Sequence, residues 1–115
     1  MIKTDTFMYD EEIDRLVIFN DLKDDEIIYG SVNVLNLVLD ITNKNRIVNI
    51  EIRNVSEYLK SIDKNPDILK NLINAKISVQ QIRGGFLMHI ILIAQNKTEI
   101  IPYPIATEEQ IVISA

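Results

Sequence analysis

Tyr9-Asp10-Glu11-Glu12-Ile13-Asp14-Arg15-Leu16 and, past one long run, Leu39-Asp40 then Arg46-Ile47-Val48-Asn49-Ile50-Glu51-Ile52 are the stretches whose reading decides the fold. Both read as strands. In Arg46 to Arg53, Val48, Ile50 and Ile52 point one way and Asn49, Glu51 and Arg53 the other, the period-two alternation of a sheet with one wet side. Neither stretch holds a nucleophile–base pair, a metal-ligand cluster or a phosphate loop, so together they describe a scaffold and leave the chemistry open.

Outward from these strands the same logic continues. Thr4 to Tyr9 and Arg15 to Phe19 flank an acidic turn and read as a first hairpin, followed by a loop from Asn20 to Asp25. Ile27 to Ile41 is a run of β-branched residues and leucine, with Gly30-Ser31 as a break or bulge. In its second part Leu35, Leu37, Leu39 and Ile41 share the core face, and Asn36, Val38 and Asp40 take the other. Thr42 to Asn45 is a polar turn, in which asparagine tolerates the left-handed backbone of a tight hairpin.

The period then changes. Asn54 stands three residues before Glu57, the spacing of an N-cap with a reciprocal partner, and Tyr58, Leu59 and Ile62 recur at helical spacing. Asn65-Pro66 predicts a second helix, lined by Ile68, Leu69, Leu72 and Ile73 and ending near Ala75. Ile77 to Ile82 returns to strand and Gly84-Gly85 is a turn. Phe86 to Gln95 is apolar on both faces, which marks a central strand. After the turn Asn96 to Thr98, Glu99 to Ile105 carries Pro102 and Pro104 on one side of the backbone; neither has an amide hydrogen, so this reads as a protected edge strand. Thr107 to Gln110 reads as a helical turn and Ile111 to Ile113 as a last strand.

The expected fold is therefore α+β: antiparallel hairpins in a meander with one or two short helices, within residues 55–75, packed on one face. A chain of 115 residues is the size of one domain and buries a core without staples. An internal echo divides it. Shifted by 53 positions, Leu39 falls on Leu92, Asn43 on Asn96, Lys44 on Lys97, Ile47 on Ile100 and Ile52 on Ile105, the mark of two similar hairpins or of two pseudo-repeated halves, 1–62 and 63–115. One sheet layer or two stays open.

Composition excludes several functions. Hydrophobic residues are 47% and charged residues 25%, and isoleucine occurs 22 times while tryptophan is absent, so the core is aliphatic and strand-prone. With no cysteine there is no disulfide framework or thiolate chemistry, which fits a cytoplasmic chain. Net charge is −5, and 12 scattered Lys and Arg make no basic face for nucleic acid. Met1 to Asp10 has neither the basic flank nor the apolar run of a signal peptide, and Phe86 to Ala94 is far short of the ~20 residues that span a bilayer.

Each candidate site has a structural explanation beside the functional one. His89, the single histidine, offers a general base but lies between Met88 and Ile90 in the most apolar strand, where a core or interface histidine is expected. Asp40 and Glu51 on paired strands offer an acid–base pair; on the polar face, near Arg46 and Arg53, they read as a cross-strand ion pair. Asp10, Glu12 and Asp14 alternate like the first ligands of a calcium loop, but Arg15 stands at its glycine position and no glutamate closes it. Gly84-Gly85 lacks the helix and Lys-Ser/Thr of a phosphate cradle. Tyr9, Tyr29, Tyr58 and Tyr103 are spread evenly and suggest no stacking platform. No cofactor is implied.

Tyr9-Asp10-x-Glu12-x-Asp14-x-Leu16-x-Ile18, Leu39-Asp40, Arg46-Ile47-Val48-x-Ile50-Glu51-Ile52 and Asn54-Val55-Ser56 resemble a short prokaryotic family, the domain of unknown function two-two-eight-three, whose members show a Tyr-Asp-x-x-x-Asp-x-Leu opening and a Gly-Ile-Glu-Ile close. The resemblance covers residues 6–60; Asn45 and Asn49 stand where that family often has glycine, and the chain from Ile62 onward lies outside it. It implies a small antiparallel sheet followed by a helix, no established activity and no catalytic residues, with some members looking like partners of small toxins.

Three functions follow as expectations. The first is a noncatalytic protein-interaction module, binding itself as a homodimer or another chain, through an outward apolar row at Val34, Val38 and Ile47 together with the two-sided Phe86 strand. The second is an acidic partner that neutralises a basic protein such as a small toxin, steered by the loops Asp10–Asp14 and Asp21–Glu26. The third is an enzyme in which Asp40, Glu51 and His89 converge.

Overall fold

Alternating side chains build two antiparallel sheets that close over a shared core. The structure, a computed structural model, describes residues 1–107 and 113–115. The first sheet is formed by β1 (Ile2–Lys3), β2 (Phe7–Asp10), β3 (Arg15–Phe19), β4 (Ile28–Val34), β5 (Leu37–Thr42) and β6 (Ile47–Arg53). Helix α1 (Val55–Ser61) and a 3₁₀ segment (Pro66–Asn71) lead to a second sheet of β7 (Leu72–Ile82), β8 (Gly85–Ala94) and β9 (Lys97–Ala106). Strand order is β1-β2-β3-β6-β5-β4 in the six-stranded sheet and β7-β8-β9 in the other. This is the α+β meander that alternation implies, in two layers rather than one. β8 is central and the proline-bearing β9 is an edge.

One buried cluster joins the layers. Phe7, Leu16, Ile18, Leu37, Leu39, Ile50 and Ile52 meet Met88, Ile90, Leu92, Ile101 and Tyr103, and α1 and the 3₁₀ segment add Val55, Leu59, Ile68 and Leu69. Tyr58 of α1 stacks on Tyr103 of β9 with ring centroids 4.7 Å apart, so two of the evenly spaced tyrosines do stack, on each other. The Tyr103 hydroxyl donates to Asn36 Oδ1 at 3.3 Å, tying β9 to the β4–β5 turn, and burial pushes its phenol pKa up. At the start of β8 a Cβ on Gly85 would lie 1.9 Å from the Ile105 carbonyl oxygen, so only glycine fits there.

Four local readings are corrected. Ile27 to Ile41 is a hairpin, and Leu35 is in its turn at φ 53, 73% exposed, not on the core face. The expected bulge is present, as a register shift between Ile28 and Gly30. The second helix stops at Asn71, where the chain goes straight into β7 and leaves Ile73 exposed; only Ile68 and Leu69 are its buried residues. A bulge between Leu72 and Asn74 is what mimicked helical spacing. The echoing hairpins are paired in different registers: Leu39 faces Ile50, whereas Leu92 faces Glu99 and not Tyr103. Of the carboxy-terminal readings, residues 108–112 lie outside the described residues. Ile113 is buried and Ser114 bridges to Arg46 in parallel, its amide and carbonyl bonded to Asn45 and Ile47.

The fourth correction concerns α1. Asn54 occupies the N-cap at φ 52 but its side chain makes no capping bond. The cap comes from the β2–β3 turn: Asp14 Oδ1 accepts the Ser56 amide at 3.0 Å, Oδ2 accepts the Ser56 hydroxyl at 2.8 Å, and its carbonyl accepts the Val55 amide at 3.2 Å. Of the three alternating carboxylates, Asp10 accepts the Glu12 amide at 3.1 Å within the turn and Asp14 caps the helix.

A second long-range tie fixes the loop from β3 to β4. Glu26, with only 1% of its side chain accessible, accepts from Arg46 at 2.8 Å, from the Thr42 hydroxyl at 2.9 Å and from the Lys23 amide at 2.8 Å. Arg46 also donates to the Asp21 carbonyl. The hydrogen bonds from Arg46 and the Lys23 amide hold the Glu26 carboxyl at about 2, well below its usual 4.5.

Two outcomes are expected. Asp14→Ala removes the borrowed cap and places an alanine at φ 51, lowering stability by about 2 kcal/mol in urea unfolding, whereas Asp14→Asn retains much of it; equal midpoints for Ala and wild type would contradict the cap. Because the folded Glu26 carboxyl titrates near 2 and the unfolded one near 4.5, its stabilisation is complete above pH 4.5 and fades as pH falls toward 2. Glu26→Gln should therefore be much less stable than wild type at about neutral pH, with the gap narrowing below about pH 4.

Candidate interaction surface

β8 has a strand on each edge, so its side chains divide between the two faces of the sheet. Phe86, Met88, Ile90 and Leu92 turn inward and are buried. Leu87, His89, Ile91 and Ile93 turn outward and are half-buried. Register sets their neighbours. On β9, Pro104 lies beside Leu87, Pro102 beside His89, Ile100 beside Ile91 and Thr98 beside Ile93; on β7 the opposing residues are Gln80, Ser78, Lys76 and Asn74. Pro102, Pro104 and Ile100 are exposed, Ile100 by 52%. The outcome is an apolar face rimmed by amides, hydroxyls and one lysine. No carboxylate lies on it, and among the described residues no element covers it. Glu99 turns inward, held by Lys64 at 2.9 Å and Lys97 at 3.1 Å, and the Lys64 hydrogen bond leads in drawing its carboxyl below the usual range.

The outward apolar row expected at Val34, Val38 and Ile47 is not there. Ile47 is 0% exposed, because the register shift after Asp40 pairs Asn49 and then Ile47, leaving Val48 as the extra residue and turning Ile47 to the core with Ile50 and Ile52. Val34 faces Leu37 and packs against the core. Val38 alone points outward, half-buried in a groove of about 290 Å³ with Val17, Phe19, Asp40, Asn49 and Glu51. The uncovered row belongs to the other sheet. Its signal in the sequence was the run Phe86 to Ala94 with apolar residues at odd and even positions, continued by Ile100, Pro102 and Pro104.

Asp40 and Glu51 do share that groove, as diagonal neighbours: Asp40 is opposite Asn49, and Glu51 opposite Val38. Asp40 accepts from the Ser31 hydroxyl at 2.6 Å and the Asn49 amide at 3.1 Å. Glu51 binds Arg15 at 3.0 Å and Arg53 at 3.4 Å. Arg15 and Arg53 oppose each other across β3 and β6, a pairing that Glu51 makes tolerable. Arg46, expected here, is engaged with Glu26 instead. His89 lies on the outer face of the three-stranded sheet, between Ser78 and Pro102, with the whole core between it and the two carboxylates. The three do not converge.

A polar cleft of about 510 Å³ opens between the β2–β3 turn, α1 and the 3₁₀ segment. Most of the charged side chains lining it are engaged: Asp14 with Ser56, Glu11 with Lys70 at 3.3 Å and Glu57 with Lys60 at 3.5 Å. Among the described residues no three His, Asp or Glu side chains gather as metal ligands, and no helix is long and apolar enough to cross a membrane. Compared with known proteins, the chain matches no protein-family model, no curated protein and no solved structure.

Proposed function

We propose that the chain is a noncatalytic protein-interaction module that self-associates, burying the outer face of the β7-β8-β9 sheet against the same face of a second copy about a twofold. One observation carries this reading: Leu87, Ile91, Ile93, Ile100, Pro102 and Pro104 form a carboxylate-free apolar face with no covering element among the described residues. Two copies of a chain of net charge −5 repel at long range, so an isologous contact needs a face on which no acids oppose. This face meets that condition.

The other readings have less support. In the two acidic loops Asp14 caps α1 and Glu26 is buried on Arg46, while Asp25 and Glu11 form exposed pairs with Lys44 at 2.8 Å and Lys70 at 3.3 Å. Half of their eight carboxylates are thus already engaged within the chain. An enzyme through Asp40, Glu51 and His89 would need groups from opposite outer faces. The absence of cysteine and of a basic face fits a cytoplasmic protein that binds protein rather than nucleic acid.

Ile91→Asp puts a carboxylate at the centre of the face, and is expected to halve the particle mass measured by light scattering at micromolar concentration while leaving the circular dichroism spectrum intact. A mass identical to that of the wild type at every concentration would overturn the reading.

A further inference from the structure

The six-stranded sheet ends at β4, and the outward backbone edge of Ile28–Val34 meets no strand among the described residues. The other three edges are blunted. β1 is two residues long, β7 carries Lys76, and in β9 Pro102 and Pro104 remove two amides from the open side. β4 is neither short, charged nor proline-bearing; its one irregularity is the bulge at Tyr29, near its start, and Gly30–Val34 runs on without another. Ile28-Tyr29-Gly30-Ser31-Val32-Asn33-Val34 contains no charge and no proline, in a chain of which 25% is charged. An uncharged open edge is a template for another strand.

The residues along it also say which strand. Ile27 is 64% exposed at one end and Leu35 is 73% exposed at the other, and Tyr29 and Val32 are exposed between them. In antiparallel pairing about Ser31, Ile28 falls opposite Val34, Tyr29 opposite Asn33 and Gly30 opposite Val32, with Ile27 and Leu35 just beyond the strand ends. The edge is complementary to itself, and self-pairing opposes no like charges. We propose that β4 pairs antiparallel with β4 of a second copy, about a twofold at Ser31, joining two six-stranded sheets into one.

This contact is separate from the one proposed above and compatible with it. The twofold between antiparallel neighbours stands perpendicular to their sheet, so both three-stranded layers lie on the same side of the joined sheet. Their outer faces point the same way and stay open to a second such pair. With their twofolds perpendicular and intersecting, the two contacts would close four copies into an assembly of dihedral symmetry.

The chain has no cysteine, so Ser31→Cys introduces a lone thiol. Directly opposed antiparallel residues have Cα atoms about 4.5–5.5 Å apart, within reach of a disulfide. The variant is made in the Ile91→Asp background, where the apolar face is disabled, and oxidised with diamide. The expected result is a disulfide-linked dimer that forms at least tenfold faster than from Ile13→Cys, an exposed control in the β2–β3 turn, and that is suppressed when Val32→Lys is added. Cross-linking no faster than the control overturns the proposal, as does a wild-type mass that Val32→Lys leaves unchanged. A peptide of another protein on this edge gives that same negative result. Since the thiol reads the edge and the mass of Ile91→Asp reads the face, either contact can fail without the other.

Discussion

The buried pair Glu26–Arg46 is the constraint on which the first sheet depends. β3 does not pair with the next strand in the chain; it pairs with β6, and β4 lies at the far edge, beyond β5. The loop from Phe19 to Ile28 must therefore cross the ends of β6 and β5 and come down in register on the other side. Asn20 bonds the Val48 carbonyl at one end of the crossing, and Ile27 and Asn43 bond each other at the other. Between them the Glu26 carboxylate gathers Arg46, Thr42 and the Lys23 amide, with Glu26 and Thr42 themselves buried. A carboxylate in that position is tolerable only because its lone pairs are used by a guanidinium, a hydroxyl and an amide together. The same corner receives Ser114, so the loop, the β5–β6 turn and the carboxy-terminal residues meet at one arginine.

What could be read in advance follows from how far apart the interacting residues are. Strands whose faces alternate, such as Arg15 to Phe19 and Arg46 to Arg53, announce themselves because each side chain is classified by its own neighbours. The β4–β5 turn did not, because Leu35 adopts φ 53 without being glycine or asparagine; its left-handed backbone is imposed by the strands on either side and by Asn36, whose amide holds the Arg53 carbonyl at 2.9 Å. The cap of α1 was beyond reach for another reason. Its signature, an Asn three residues before Glu57, is present, but the working acceptor is Asp14, 42 residues away in sequence from Ser56. Local spacing cannot distinguish a cap supplied by the helix from one supplied by a turn in another layer.

The candidate surface was half legible for the same physical reason. That β8 is apolar on both faces is a property of nine consecutive residues, and it correctly marks a strand with one face in the core and another that is not polar. Which of the remaining apolar residues face outward depends on bulges. One extra residue at Val48 sends Ile47 inward, and pairing with Leu37 does the same for Val34, so two of the three residues expected on an outer row belong to the core. A period of two makes parity absolute, and one bulge reverses it for everything beyond.

The distribution of edge devices carries the argument for assembly further than hydrophobicity does. An isolated exposed isoleucine needs no explanation, since folded proteins leave much apolar surface in water. An asymmetry among four strand edges of one molecule is different. β9 has two prolines on the open side, β7 has a lysine, and β1 is short, so three edges resist lateral pairing by three unrelated means. Had solubility alone shaped the fourth, a single lysine in β4 would have sufficed at little structural cost, because every residue from Ile28 to Asn33 is exposed. The acids that could have protected it sit instead at Asp24 and Asp25, in the loop beside the strand and not on it, with Asp25 already bound to Lys44. Carboxylates are plentiful in this chain and are kept off one edge and one face, which is the pattern expected where copies of the same acidic protein have to touch.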